Sequence, residues 1–400
     1  MRPFAEKDSD DVARFEFSLV RGDILFRLQR RVGLVPAEGL GVGRRAFFAV
    51  LVTWVPVVVW ALLEGRALPG KTAEPVMQHF GIHVRCLVAI PLFIMTEATA
   101  QGVVTQFIRR LLDGGFVTAK ELPRLRAVLA DAVRLRDGWL PWVIVAGIVI
   151  GWSIVGPPTM AGTHELLWAT SGGPGELRLG FGGWWFLYVV RPLFVALLLM
   201  WVWRLALWCI VVTRILRLDL AFVPTHPDQA MGLGYLERTP AAFQPFIFGV
   251  SSVLAATWAH DVLYHAVDVR SLVLPIAAFV VVMVGLMVAP LLVCAGPLRR
   301  VKRQALADYG ALVAEHGRAV RERWILGQEI ADSRLLEAPE IGPLADTLSL
   351  YQAVKNSRVV PISRTTMTLI LLPLALPMIM LVAIQMPISE LLQLLLKALV

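Results

Sequence analysis

Gly182 to Leu236 reads GGWWFLYVVRPLFVALLLMWVWRLALWCIVV, then TRILRLDLAFVP, then THPDQAMGLGYL. The first part is apolar for longer than the roughly 20 residues a helix needs to cross a bilayer. It therefore decides the fold class. Two arginines, Arg191 and Arg204, lie inside it. A charge in hydrocarbon is expensive, so such groups turn toward the bundle interior and mark functional sites. The second part leaves the membrane on basic residues. The third is a turn-rich block carrying Thr225, His226, Pro227, Asp228, Gly232 and Gly234.

The same pattern extends over the chain. Of 400 residues, 57% are hydrophobic and 17% charged, against about 25% charged in soluble domains. The expected fold is all-α: a polytopic α-helical membrane protein with about seven transmembrane spans and a cytoplasmic helical layer. Residues 1–45 read as a cytoplasmic amphipathic segment, with 13–35 a basic helix lying on the membrane surface. Residues 46–295 hold spans one to six, the cytoplasmic helix 116–137 and the loop 214–245. Residues 296–366 form a cytoplasmic helical segment, and 367–400 a seventh span followed by a short apolar helix. Pro56 predicts a kink in the first span. The N-terminus, MRPFAEKDSDDVARFEF, lacks the apolar core of a secretory signal. Cys86, Cys209 and Cys294 fall in or beside apolar spans and form no CxxC pair, which argues against a disulfide framework.

Lys and Arg fix an expected orientation. With seven spans, thirty fall on one side and six on the other. This places the N-terminus in the cytoplasm and predicts a multi-pass protein of a bacterial inner membrane. The net charge of +8 is then a property of cytoplasmic loops rather than of a nucleic-acid surface. The expected partners are the lipid bilayer and further copies of the chain, with a cytoplasmic protein as a further partner at 298–331.

Three groups of residues can carry chemistry. Glu97 and Gln101 sit one turn apart within span two, Arg191 lies several residues inside span four, and Asp261 ends span five. They can line or gate a path for an ion or small solute, or Glu97 and Arg191 can form an interhelical lock. Arg204, nearer the inner surface, is expected to snorkel. Secondly, five histidines fall on the predicted outer side: His79, His83, His164, His260 and His265. His79 and His83 share a helix face, as do Asp261, His265 and Asp268. His79, His83, His260 and His265 could bind zinc or copper. The alternative is interfacial histidines bonded to loops, with no cofactor. Thirdly, the amides of the Thr225–Leu236 block, with His226 or Arg217, could meet an anion; the alternative is a rigid turn. His226-Pro227-Asp228 matches the J-domain tripeptide, but the basic helix that precedes it in J-domains is missing. No G-x-G-x-x-G, Walker loop or catalytic triad pattern is present.

Several stretches together resemble a family of bacterial polytopic inner-membrane proteins with a THPDxAxGLGxL loop motif, to which no activity is attached. They are His83-Val84-Arg85-Cys86-Leu87-Val88-Ala89-Ile90-Pro91-Leu92 with Glu97, Thr225 to Asp228 with Gly232 to Leu236, Ala305 to Leu312, and Leu344-Ala345-Asp346 through Val359-Val360-Pro361. The chain departs from that pattern at Ala230-Met231 and Ile341-Gly342-Pro343. The resemblance implies the location and no reaction. Three functions follow from the residues: an oligomeric channel or transporter-like protein, a membrane sensor or scaffold docking a cytoplasmic partner, and a metal-dependent membrane enzyme. The first is the expected one.

Overall fold

A computed structural model describes residues 17–36, 39–70, 74–160, 164–171, 178–328 and 342–385. The short apolar helix expected after Pro387 lies outside them. Eleven helices carry the architecture. They are α1 (Ile24–Arg31), α2 (Val42–Leu63), α3 (Phe80–Asp113), α4 (Leu122–Asp137), α5 (Leu140–Met160), α6 (Phe181–Ile215), α7 (Gln244–Tyr264), α8 (Val273–Leu292), α9 (Ala295–Val320), α10 (Gly342–Asn356) and α11 (Arg364–Val382). One two-residue antiparallel pair, Thr170–Ser171 with Arg178–Leu179, interrupts the helices. Among the described residues, six helices are long and apolar enough to span a membrane: α2, α3, α6, α7, α8 with its leading turn, and α11. The span expected over 139–155 is also a helix, the 21-residue α5, although it stands outside those six.

Large apolar side chains cover the outside of these helices. Leu63, Leu274, Val281 and Met380 are 82%, 77%, 70% and 68% exposed. In water such a surface would be prohibitive; against lipid chains it is the expected one.

Prolines set the local shape of three spans. α2 breaks at Trp54 into Val42–Thr53 and Val55–Leu63, with Pro56 in the first turn of the second piece. There its missing N–H costs no hydrogen bond. In α3 the wide turn Arg85–Ala89 precedes Pro91, and in α6 the wide turn Phe186–Val190 precedes Pro192. A proline ring clashes with the carbonyl four residues back, and a π turn opens the helix at that point. Pro-Leu-Phe recurs at both sites. Phe93 and Phe194 stack at 5.5 Å, and Trp201 Nε1 donates to Phe93 O at 2.8 Å, so the two spans pack side by side.

The described part of the N-terminal segment packs partly into the bundle. Phe17, Leu19 and Val20 are buried at 1% exposure or less. Only Ile24–Arg31 is helical, and its cap Asp23 points into the bundle toward Arg204. The apolar positions divide: Phe17, Leu19, Val20 and Phe26 are buried, whereas Leu28 and Val32 are 56% and 68% exposed. Gln101 Nε2 reaches Phe17 O at 3.5 Å, and the Arg136 guanidinium donates to Ser18 O at 2.6 Å.

The far ends of α3 and α6 share one end of the bundle with α4, α9, α10 and the Asp228 block. There α9 and α10 lie against each other, with Lys302 Nζ donating to Lys355 O at 2.8 Å. At the other end lie the connection through Glu74, the start of α3, the end of α7 and the end of α11. Val269 N donates to Gln385 Oε1 at 2.9 Å there, tying the turn after α7 to the residues following α11.

Candidate metal centre

Glu74-Pro75 leads into a single 3-10 turn, Val76–Gln78, and His79 follows as the residue before α3. This places Glu74 and His79 over the last turn of α7. His260 lies on that turn and His265 just beyond it. Ala266 then takes a left-handed φ of 52°, a costly conformation for an L residue, and sends the chain back toward α8.

Three imidazoles surround one carboxylate. His260 Nε2 is 3.4 Å from Glu74 Oε2, and His79 Nε2 is 3.6 Å from the same oxygen. His265 Nε2 is 3.5 Å from Glu74 Oε1. The four side chains are 14% (Glu74), 3% (His79), 8% (His260) and 17% (His265) exposed. His79 stacks on His260 at 4.4 Å between ring centres, and His260 meets His265 edge-on at 5.2 Å. The donor atoms of Glu74, His260 and His265 all lie within 4.8 Å of one another.

These contacts are too long and poorly directed to be good hydrogen bonds. Glu74 Oε2, His79 Nε2 and His260 Nε2 are buried and make no hydrogen bond among the described residues. Each buried polar atom left so costs about 1–3 kcal/mol. A cation held by Glu74, His260 and His265 would satisfy Glu74 Oε2 and His260 Nε2. A tetrahedral zinc ion with bonds of about 2.0–2.1 Å holds its ligand atoms about 3.3–3.4 Å apart, close to the spacings here.

The protonation pattern fits. His260 Nδ1 lies 3.0 Å from Gln78 O. A carbonyl only accepts, so Nδ1 carries the proton and Nε2 presents its lone pair to the cluster. This is the outer-shell bond that orients metal-binding histidines. Burial, then repulsion from His260, His265 and His83, pushes the His79 pKa down to about 3, so its ring stays neutral. Imidazole nitrogen with one carboxylate suits zinc and other first-row transition metals. Glu74, His260 and His265 make a set of three, the number that leaves a zinc ion an open position. His79 adjoins as a fourth donor.

His83 does not join them. Its Nδ1 accepts from Trp54 Nε1 at 3.0 Å, which leaves Nε2 to donate to Val76 O at 3.0 Å. Both nitrogens are occupied, and the residue pins α3 to the kink of α2. Of the four histidines expected to bind metal, three converge, and the carboxylate that joins them, Glu74, was not expected. Its signal was faint: an acid five residues before His79, in a proline-containing connection.

Comparison with family models, with curated proteins and with solved structures returns no match for this chain.

The intramembrane charges form a second centre. Glu97 is 1% exposed, and both its oxygens face guanidinium groups. Arg45 binds it through two nitrogens, and Arg204 NH1 lies 3.3 Å from Oε1. Arg204 NH2 reaches Asp23 Oδ2 at 2.7 Å, while Asp23 Oδ1 accepts from Phe26 N at 2.7 Å. Two cations and two anions thus close a buried, neutral network. The expected Glu97–Arg191 lock is replaced: Arg191 lies over the Trp152 ring at 5.6 Å. Arg204 does not snorkel; it is 2% exposed. Gln101 donates to Thr105 Oγ1 at 3.0 Å. Asp261 closes the end of α7, its carbonyl accepting from His265 N at 2.9 Å. Glu97 lies 17 residues along α3 from Phe80, about 25 Å of helix at 1.5 Å per residue, so Asp261 and Glu97 belong to different sites.

The Asp228 block is a closed turn. Asp228 Oδ1 accepts from Ala230 N at 2.8 Å and Gly232 N at 3.1 Å, and Oδ2 accepts from Gly234 N at 2.8 Å. These are the amides an anion would need. His226 Nδ1 also lies 2.9 Å from Oδ1. Pro227 and Thr225 lie in the preceding turn. Arg358 fastens the block from outside, its N–H donating to Gln229 O at 2.6 Å.

Proposed function

We propose that this chain is a multi-pass membrane protein whose working centre is a transition-metal site, with zinc the first choice of ion. Glu74, His260 and His265 supply the ligands and His79 adjoins them. A metal held by these residues would supply Lewis acidity toward an oxygen ligand. The chain's own residues bury the donors, and the Gln78 carbonyl turns His260 Nε2 toward the cluster. The observation that carries this reading is the convergence of the Glu74, His260 and His265 donor atoms within 4.8 Å, with Glu74 Oε2 and His260 Nε2 buried and making no hydrogen bond among the described residues.

Counting α5 as a span gives seven, and the Lys/Arg distribution then puts the N-terminus in the cytoplasm and the metal centre outside. The conduit expected from the intramembrane charges draws less support. A gating acid needs access to water, whereas Glu97 has both oxygens taken by Arg45 and Arg204.

Metal content tests the proposal. Protein purified without added metal, then equilibrated with zinc and freed of excess, carries one ion per chain. Glu74→Gln and His260→Ala reduce that content to background. His226→Ala, at the other end of the bundle, retains it. Equal zinc content in the wild type and both site variants would remove the proposal.

A further inference from the structure

Beside the metal centre a groove of about 420 Å³ opens between α3, α7 and α11. It starts at Phe80 and Ala259, the residues next to His79 and His260. It runs along the spans past Ala256 and Ser252 to Val88 and Phe248. From Phe80 to Val88 this is about 12 Å of helix. Apart from Ser252 its lining is apolar. All three lining helices belong to the six that are long and apolar enough to span a membrane. One end of this apolar groove, at Phe80 and Ala259, adjoins His79 and His260 along the chain.

We propose that the ligand of this centre is a membrane lipid with an anionic headgroup. This rests on the metal reading above. The hydrocarbon chain lies between α3 and α7, and an anionic headgroup oxygen takes the open position on the metal. The polarity of the cleft matches both halves of that molecule: hydrocarbon against Ala256, Phe248 and Val88, negative oxygen against a divalent ion carrying one carboxylate. A soluble anion matches only the mouth, and an apolar molecule only the groove. Zinc accommodates the added oxygen by expanding to five ligands where His79 also binds.

The test uses the full-length protein in detergent and a phosphatidic acid with one fluorescent chain. Binding is titrated with one zinc per chain and again after chelation. The expected result is affinity at least about tenfold tighter with zinc. Ala256→Phe fills the groove one turn below His260. It weakens binding by a similar factor while zinc content stays at one per chain; Ser252→Phe, deeper in the groove, does the same if Ala256→Phe fails to fold. Inorganic phosphate competes only at far higher concentration, which separates lipid from a free anion. Equal affinity with and without zinc overturns the proposal, and so does wild-type affinity in both groove variants. Zinc binding without any effect on lipid leaves the metal reading standing and removes only this one; no zinc binding removes both.

Discussion

Glu97 shows what a buried charge demands of its neighbours. Arg45 and Arg204 neutralise it, and Asp23 restores the balance for Arg204. Removing one partner from a buried pair strands the other charge and costs about 3–5 kcal/mol. Glu97→Ala therefore lowers the melting temperature of the detergent-solubilised protein sharply, because Arg45 and Arg204 are left facing each other. An unchanged melting curve would show that the network bears no load. The sequence made Glu97 legible as a buried acid, since depth along a span can be counted. Its partners were not legible. Asp23 and Arg45 sit at positions that read as interfacial, and counting residues gives depth without saying which helices are neighbours. The histidines divide in the same way. His79, His260 and His265 could be singled out as candidate ligands from residue type and expected side. His83 could not be excluded until Trp54 Nε1 was found on its Nδ1.

The Asp228 turn works as an element, because one carboxylate replaces three hydrogen-bond acceptors. Gly232 holds φ at 97°, and a Cβ there would stand 2.0 Å from the Phe116 ring. Gly232→Ala thus meets both backbone strain and a clash with a buried ring. It destabilises the protein by more than the roughly 1 kcal/mol typical of surface changes, measured as loss of melting temperature. Burial alone would raise the Asp228 pKa. The amides of Ala230, Gly234 and Gly232, with His226, outweigh it and hold the carboxyl below its ordinary value. A depressed carboxyl stabilises the fold fully above its unfolded pKa, and that contribution is lost as pH falls through the folded value. Asp228→Asn therefore lowers stability at neutral pH and flattens its acid dependence below about pH 4; a parallel acid profile in the variant would contradict this. The turn residues were evident in the sequence as Pro and Gly among polar groups. Whether their amides stayed open was not, because it depends on where one side chain folds back. The kink at Pro56 was foreseen; the π turns before Pro91 and Pro192 were not, since a proline in a helix can be relieved in several ways.

For the whole molecule, the apolar helices and their order followed from apolar length, and the basic segments gave each end an expected side. Cys86 and Cys294 are buried and Cys209, within α6, is half-buried, so the labelling test replaces Cys209 with Ser. A single cysteine placed at Gly70, beside the metal end, reacts with an impermeant maleimide on intact cells. One placed at Trp324, beyond α9, reacts only after the membrane is opened; the reverse pattern would invert the topology and put the metal centre inside. What no count of hydropathy could supply is the meeting of a loop, the start of α3 and the end of α7 on one carboxylate. The most direct test of that meeting is X-ray absorption at the zinc edge on the one-zinc protein. The predicted spectrum has nitrogen and oxygen neighbours at about 2.0–2.1 Å, with the outer-shell scattering of at least two imidazoles, which His260→Ala weakens. A shell of oxygen alone, or a spectrum that His260→Ala leaves untouched, would contradict the site.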